Sequence, residues 1–334
     1  MRTLTSPHDL LAAVPFLIGY HPENSLVLIS LEQGRVGLAM RIDYPTEVDP
    51  EQIELLLLHL RREDCDGVLI VAYAPEGIDP AHEISSALAL HVGIAGLRVQ
   101  ESLLVREGRW RSLMCRDFEC CPLEGRVLPE FSDSAVTAGQ VADGVPLPFN
   151  GSDSLRASLY AKSPSIALLT ALATYHPIDY SRKNFQSLQR EGAVAVNQLV
   201  EEFREDGILV NESLVAQVLV RLLDLQVRDY ALGIATDENQ ELLISLWRWL
   251  TSIAPQGFAA APATLYAELV YEHGEGALAA RALERAFDDD STYQLAKLLR
   301  RSFAAGWEPS NFRQMRSELH PKICQALFAE EIVE

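Results

Sequence analysis

Gly67-Val68-Leu69-Ile70-Val71-Ala72-Tyr73 is the stretch on which the fold turns. It is a continuous apolar run without the in–out alternation of a half-solvated strand, the pattern of a strand covered on both faces. Helix starts flank it. Upstream, Asp49-Pro50-Glu51 puts a capping carboxylate before a proline at the first helical position, and Ile53, Leu56, Leu57 and Leu60 follow at helical spacing. Downstream, Asp79-Pro80-Ala81 repeats the signature, with Ile84, Leu88 and Val92 on one face and Gly93 placed to stop the helix. A strand between two helices, with further strands outside them, implies a strand–helix–strand unit.

Working outward, Ser25–Leu31 and Val36–Asp43 read as a hairpin turning at Glu32-Gln33-Gly34. Leu97–Arg106 and Arg109–Met114 form a second around Glu107-Gly108. Ser6-Pro7-His8-Asp9 opens a first helix, by cap, proline and acidic third position, and this helix should end near Pro15. The expected order is helix, two strands, helix, strand, helix, two strands. That is an α/β N-terminal domain, residues 1–150, with a mixed sheet of two hairpins plus a strand–helix–strand unit. No glycine-rich phosphate loop follows any strand, and Gly93-Ile94-Ala95-Gly96 sits after a helix, the wrong place for a dinucleotide fingerprint.

After a turn-rich region carrying a short helix around Ser134–Ala142, Asp143–Asp153 is rich in Pro, Gly and Ser and reads as a linker. Beyond it every strong signal is helical. Segments at Leu155–Ala161, Pro164–Thr174, Ser181–Glu205, Glu212–Leu225, Glu238–Ile253 and Thr264–Glu272, and three more starting near Gly276, Ser291 and Pro309, show three- and four-residue apolar spacing. Residues 151–334 are therefore expected to form an all-α C-terminal domain, a helical bundle or irregular array. Ala279, Leu283, Ala286, Phe287 and Asp290, followed by Tyr293, Ala296 and Leu299, give residues 276–305 a weak tetratricopeptide-like character.

Composition bounds the function. The 334 residues carry 47 acidic against 28 basic side chains, a formal charge of −19. Such a field repels phosphate backbones and anionic membranes, so neither nucleic-acid nor membrane partners are expected. No run approaches the roughly 18 apolar residues of a membrane span. Leu10–Ile18 lacks an extended basic flank and contains Pro15, unlike a secretory signal. Five cysteines, an odd number, do not resemble a secreted disulfide framework. A cytoplasmic location is expected.

Three groups of residues offer chemistry. Cys115, Cys120 and Cys121 fall within seven positions after the second hairpin. They read first as packing thiols, with a zinc site, a disulfide and a redox role as alternatives. Neighbours in extended chain point to opposite sides, which argues against Cys120 and Cys121 sharing one ion, and Asp117 and Glu119 argue against a reactive thiolate. On the loop into the first strand, His21, Glu23 and Ser25 offer base, acid and hydroxyl, or else a turn in which Pro22, Asn24 and Ser25 serve the backbone. Arg41 and Asp43, two apart on one strand face, form an ion pair or hold an anion. Because each adjoins a strand end, His21, Arg41, Arg109 and Cys115 should gather at one rim of the sheet.

Pro15–Val27 resembles the opening signature of an uncharacterised actinobacterial family, domain-of-unknown-function family 4192. Arg41-x-Asp43 is similar to its Arg-x-Asp step. Arg109-Trp110, then Cys115 and Cys120-Cys121-Pro122-x-Glu124-Gly125, resembles its most distinctive motif. Gly276 to Leu299 also looks familial, whereas Gly151–Arg156 departs from the arginine expected ahead of the first helix of the second half. The resemblance implies an intracellular actinobacterial origin and brings no activity. The chain is thus read as a protein-interaction or scaffold module with a protein partner. The alternative is an enzyme or a small-ligand or metal binder at the strand ends, using His21, Glu23, Ser25, Arg41, Asp43, Arg109 and Trp110.

Overall fold

The computed structural model describes residues 5–47, 49–62, 65–77, 81–160, 163–207 and 211–328. The chain divides into two compact units, one up to Leu155 and one from Arg156. The first contains α1 (Pro7–Ile18), β1 (Ser25–Glu32), β2 (Arg35–Asp43), α2 (Pro50–Arg62), β3 (Gly67–Tyr73), α3 (Ala81–Ile94), β4 (Arg98–Arg106), β5 (Arg109–Ser112), β6 (Arg126–Val127) and α4 (Ala135–Ala142). The fold is an α/β unit with a mixed sheet followed by a helix-rich region, as the sequence pattern implies.

The six strands lie in the order β2-β1-β3-β4-β5-β6. Among these six strands β3 and β4 pair in parallel, and the other neighbours are antiparallel. Since β1 runs against both β2 and β3, those two strands share a direction, and α2 carries the chain from one to the other over β1. Then α3 carries it onward from β3 to β4. Two crossovers in the same direction, each right-handed, must lie on one face. The packing agrees: Ile53, Leu56, Leu57 and Leu60 of α2 and Ile84, Leu88 and Val92 of α3 share one core with Leu26, Leu28, Val68 and Ile70. Val27, Ile29 and Val71, which alternate with these and point the other way, are also completely buried. That opposite face is left for α1, which packs on β2 and α4 outside this core.

Both hairpins turn through two left-handed residues, Gln33-Gly34 and Glu107-Gly108, the geometry that matches strand twist. Asp49 caps α2, its carboxylate accepting the Glu51 N–H at 2.9 Å. The Asp79-Pro80 cap lies outside the described residues. Two local expectations are corrected. The first helix does not end near Pro15 but runs to Ile18, with the left-handed Gly19 as its stop. It is buried on almost every side, and that burial offsets the roughly 3 kcal/mol cost of an internal proline. The segment Asp143–Asp153 is not a free linker either: Phe149 donates to the Gly19 carbonyl and accepts from the His21 N–H, both at 2.9 Å.

The helical part comprises α5 (Ser152–Ala157), α6 (Ile166–Leu172), α7 (Phe185–Asp206), α8 (Glu212–Arg221), α9 (Leu225–Gly233), α10 (Gln240–Ile253), α11 (Ala260–Glu272), α12 (Gly276–Asp289), α13 (Gln294–Ala304) and α14 (Pro309–Phe328). The helix expected over Glu212–Leu225 stops at Arg221, and α9 begins at Leu225. Asp224 makes that break, its carboxylate accepting the N–H groups of Gln226 and Val227 at 2.9 and 3.2 Å. α11 packs against α12, α12 against α13, and α14 lies along α9, α11 and α7.

One buried polar cluster joins α11 to α14. The Arg316 guanidinium donates to Glu268 at 3.1 Å and to both carboxylate oxygens of Glu272, at 2.5 and 2.9 Å. Both glutamate side chains are fully buried. One cation cannot balance two buried carboxylates, and the Glu268 carboxyl is held well above the usual range by its burial, with the Glu272 charge adding to the effect.

Candidate functional site

The sheet's rim is formed by the C-terminal ends of β3 and β4 and the start of β1. In open sheets of this kind ligands bind in the crevice beyond the carboxyl ends of the strands. A cavity of about 950 Å³ lies there. Its floor comes from Tyr73-Ala74-Pro75-Glu76 after β3 and from the Val105–Gly108 turn after β4. Its walls come from the first turns of α1, the His21–Asn24 loop, and Leu128–Ala135 after β6.

His21 is held there by its own backbone bond to Phe149 and by Phe131, whose ring meets the imidazole edge-on at 4.5 Å. Burial lowers its pKa from 6.5, so the ring is neutral at pH 7 and able to accept or pass a proton. Burial also pushes the Tyr73 phenol up. The titratable lining is strongly biased: six carboxylates (Asp9, Glu23, Glu76, Glu107, Glu130, Asp133), two histidines (His8, His21) and one arginine, Arg106. Of the acids, Asp9 is already committed to capping α1, and hydrogen bonds from the Thr5 and Ser6 backbone hold its carboxyl low.

The other sequence candidates do not line the cavity. Ser25 is completely buried; its hydroxyl donates to the Glu23 carbonyl at 2.6 Å and accepts from Arg41 Nε at 2.8 Å. Arg41 continues to Asp43 at 2.6 Å, closing a chain that ties β1 to β2. Arg109 donates to the Gly125 carbonyl at 2.8 Å, and Trp110 packs edge-on against His8 with centroids 5.2 Å apart. None of these five lines the cavity, whereas His21 and Glu23 do. The cysteines are not at the rim. β5 starts there but runs back beside β4, so that Ser112 pairs with Leu103, about 10 Å down the strand at 3.4 Å per residue. The loop carrying Cys115 leaves from that lower end. The expected single cleft is therefore two places.

In the loop the three sulfurs lie within 4.8 Å of one another. Residues 118–120 form a turn and not extended chain, so adjacent side chains there are not forced to opposite sides. Asp117 makes that turn: its carboxylate accepts the N–H groups of Glu119 and Cys120 at 2.9 and 3.3 Å, and its carbonyl accepts that of Cys121 at 2.7 Å. Ser112 holds the entry, its hydroxyl accepting the N–H groups of Met114 and Cys115 and donating to Glu101. Cys121 is buried and Cys120 exposed. Burial raises the Cys121 thiol pKa, and the neighbouring thiols add to it.

Sequence reasoning missed His8, Tyr73, Glu76, Arg106 and the Leu128–Phe131 wall. Tyr73, Glu76 and Arg106 were within reach, since they lie at or just after the ends of the two parallel strands, where a crevice is expected; His8, on α1, was not. The wall was not, because β6 is two residues long and carries no periodicity.

No described helix is long and apolar enough to cross a membrane. No curated protein and no solved structure matches the chain. The family model described as domain of unknown function (DUF4192) matches residues 7–310, a span that takes in the whole sheet, the cysteine loop and most of the helical unit. The chain belongs to the DUF4192 family.

Proposed function

We propose that the N-terminal unit binds a small organic cation, an amine or short polyamine, in the cavity at the sheet's rim. The observation that carries this is the cavity itself, about 950 Å³ at the carboxyl ends of β3 and β4, with six acidic side chains and one arginine in its lining. Its size falls within the range of ligand pockets. Low-dielectric walls of one sign concentrate counter-ions of the other, and the −19 charge of the whole chain adds to this. His21 and Phe131 supply a neutral acceptor and an aromatic wall for the ligand's body. The test is a thermal-shift and calorimetric screen of the full chain against diamines and polyamines on one side and dicarboxylates and nucleotides on the other. Cations should bind, more weakly as salt rises, and Glu76→Gln with Glu130→Gln should weaken them. Preference for the anions would refute the reading.

A second reading, a protein-interaction module, is supported by α2 and α3. Leu55 and Leu58 on α2, and Leu90 and Ile94 on α3, are exposed at 41–75 %. Exposed apolar side chains at helical spacing suit a helical or apolar partner surface. Light scattering of the wild type and of Leu90→Glu tests it, a self-associating wild type and a monomeric variant being expected. We read the protein as cytoplasmic, since all five cysteines are unpaired and reduced thiols persist in that compartment.

A further inference from the structure

The loop from Leu113 to Gly125 has almost no core of its own. Met114, Phe118 and Leu123 are exposed at 50–68 %, and Cys121 is its buried apolar residue. Its backbone is nevertheless held in one course by polar bonds. Besides the Ser112 and Asp117 contacts, the Arg126 guanidinium donates to the carbonyls of Cys120 and Glu119, at 2.5 and 3.4 Å. Gly125, left-handed at φ 76°, closes the loop where an added Cβ would stand 3.0 Å from the Trp110 carbonyl oxygen. The outcome of this bracing is that three sulfurs meet.

Three sulfurs within 4.8 Å can be used in two ways. A disulfide consumes two and leaves the third over. A tetrahedral metal consumes all three: with Zn–S near 2.3 Å, sulfurs stand about 3.8 Å apart, so closing this triangle needs only rotamer-scale adjustment. Charge favours the same answer. Three thiolates and a divalent ion leave a net −1. Four arginines (109, 111, 116 and 126) stand in the surrounding segment against three acids (117, 119 and 124), an excess of one positive charge within a chain of −19. The all-sulfur donor set selects soft or borderline cations over magnesium or calcium.

We propose that Cys115, Cys120 and Cys121 form a trithiolate zinc site. Among the described residues no histidine or carboxylate joins the sulfur group, and Cys120 is exposed, so the fourth position belongs to water or an exogenous ligand. The site lies at the lower end of β5, apart from the rim cavity, and stands whether or not that cavity binds cations. Its ion would supply the cross-link that the loop lacks in apolar packing.

The experiment uses the full chain, purified under reductant and loaded with zinc or cobalt. Expected are one metal per chain and, with cobalt, a thiolate-to-metal charge-transfer band with the intense visible bands of a tetrahedral centre. Cys120→Ser, whose side chain is exposed, should weaken binding by more than the roughly 10- to 100-fold that loss of an outer-shell partner costs. Cys65→Ser with Cys324→Ser should leave stoichiometry and spectrum unchanged. A chain that takes up no metal, a mass-mapped disulfide within the loop under these conditions, or undiminished binding by Cys120→Ser would each overturn the proposal.

Discussion

Replacing Arg316 by methionine removes the cation paired with two fully buried carboxylates, Glu268 and Glu272. Breaking a buried pair by deleting one partner costs about 3–5 kcal/mol. In a unit of this size each kcal/mol moves the midpoint by roughly 2–4 °C, so the helical unit should melt about 6–20 °C lower at pH 7. Glu268→Gln should behave quite differently. Burial keeps the Glu268 carboxyl protonated well above the usual range, and in that state it donates to Glu272 while accepting from Arg316. An amide does both at the same volume, so this change should cost less than about 1 kcal/mol. The pH dependence has a definite sign. A carboxyl whose folded pKa is raised contributes stability that is complete below its unfolded value of 4.5 and is lost as pH rises towards the folded one. Glu268→Gln should therefore gain on the wild type as pH rises, and the Arg316→Met deficit should shrink as pH falls towards 5. Denaturant melts followed by circular dichroism at pH 5, 7 and 8.5 measure all three. If Glu268→Gln costs as much as Arg316→Met at pH 7, both glutamates are ionised in the fold and no proton is shared between them.

His21 should titrate below 6.5 in the folded protein; the unfolded chain then takes up the proton first, so this group's stabilisation is lost as pH falls below about 6.5, and an imidazole NMR titration reading above 6.5 would contradict its burial. Gly125→Ala forces a left-handed alanine against a backbone oxygen and should cost about 1–3 kcal/mol, with hydrogen exchange rising first in residues 113–125. Limited proteolysis should cut at the exposed Gly144–Leu147 stretch and spare Phe149, which is bonded to Gly19 and His21; preferential cutting at Phe149 would show those bonds to be weak. Saturating a true cationic ligand of the rim cavity at 100 times its Kd should add about 2.7 kcal/mol to the N-terminal unit.

The order of elements along the chain from α1 to β5 was legible residue by residue, whereas β6 was not. A cap such as Asp49, a two-residue turn such as Glu107-Gly108 and the run Gly67–Tyr73 each act through groups a few positions away, so local sequence carries their signal. Pro15 and the break at Asp224 were misread because competition between a local rule and burial or side-chain bonding is settled by what packs around the segment. The rim cavity, the separation of the cysteines from His21, and the meeting of Glu268 and Glu272 with Arg316 were not legible. Each brings together residues tens of positions apart. Which of them meet depends on the placement of β1 between β2 and β3 and on the return of the chain after β6, and these are selected by the burial of whole faces. The thiols show the division within one loop. Their spacing announced a cluster, but only the turn that Asp117 holds brings neighbours expected on opposite sides to within 4.8 Å of each other and of Cys115.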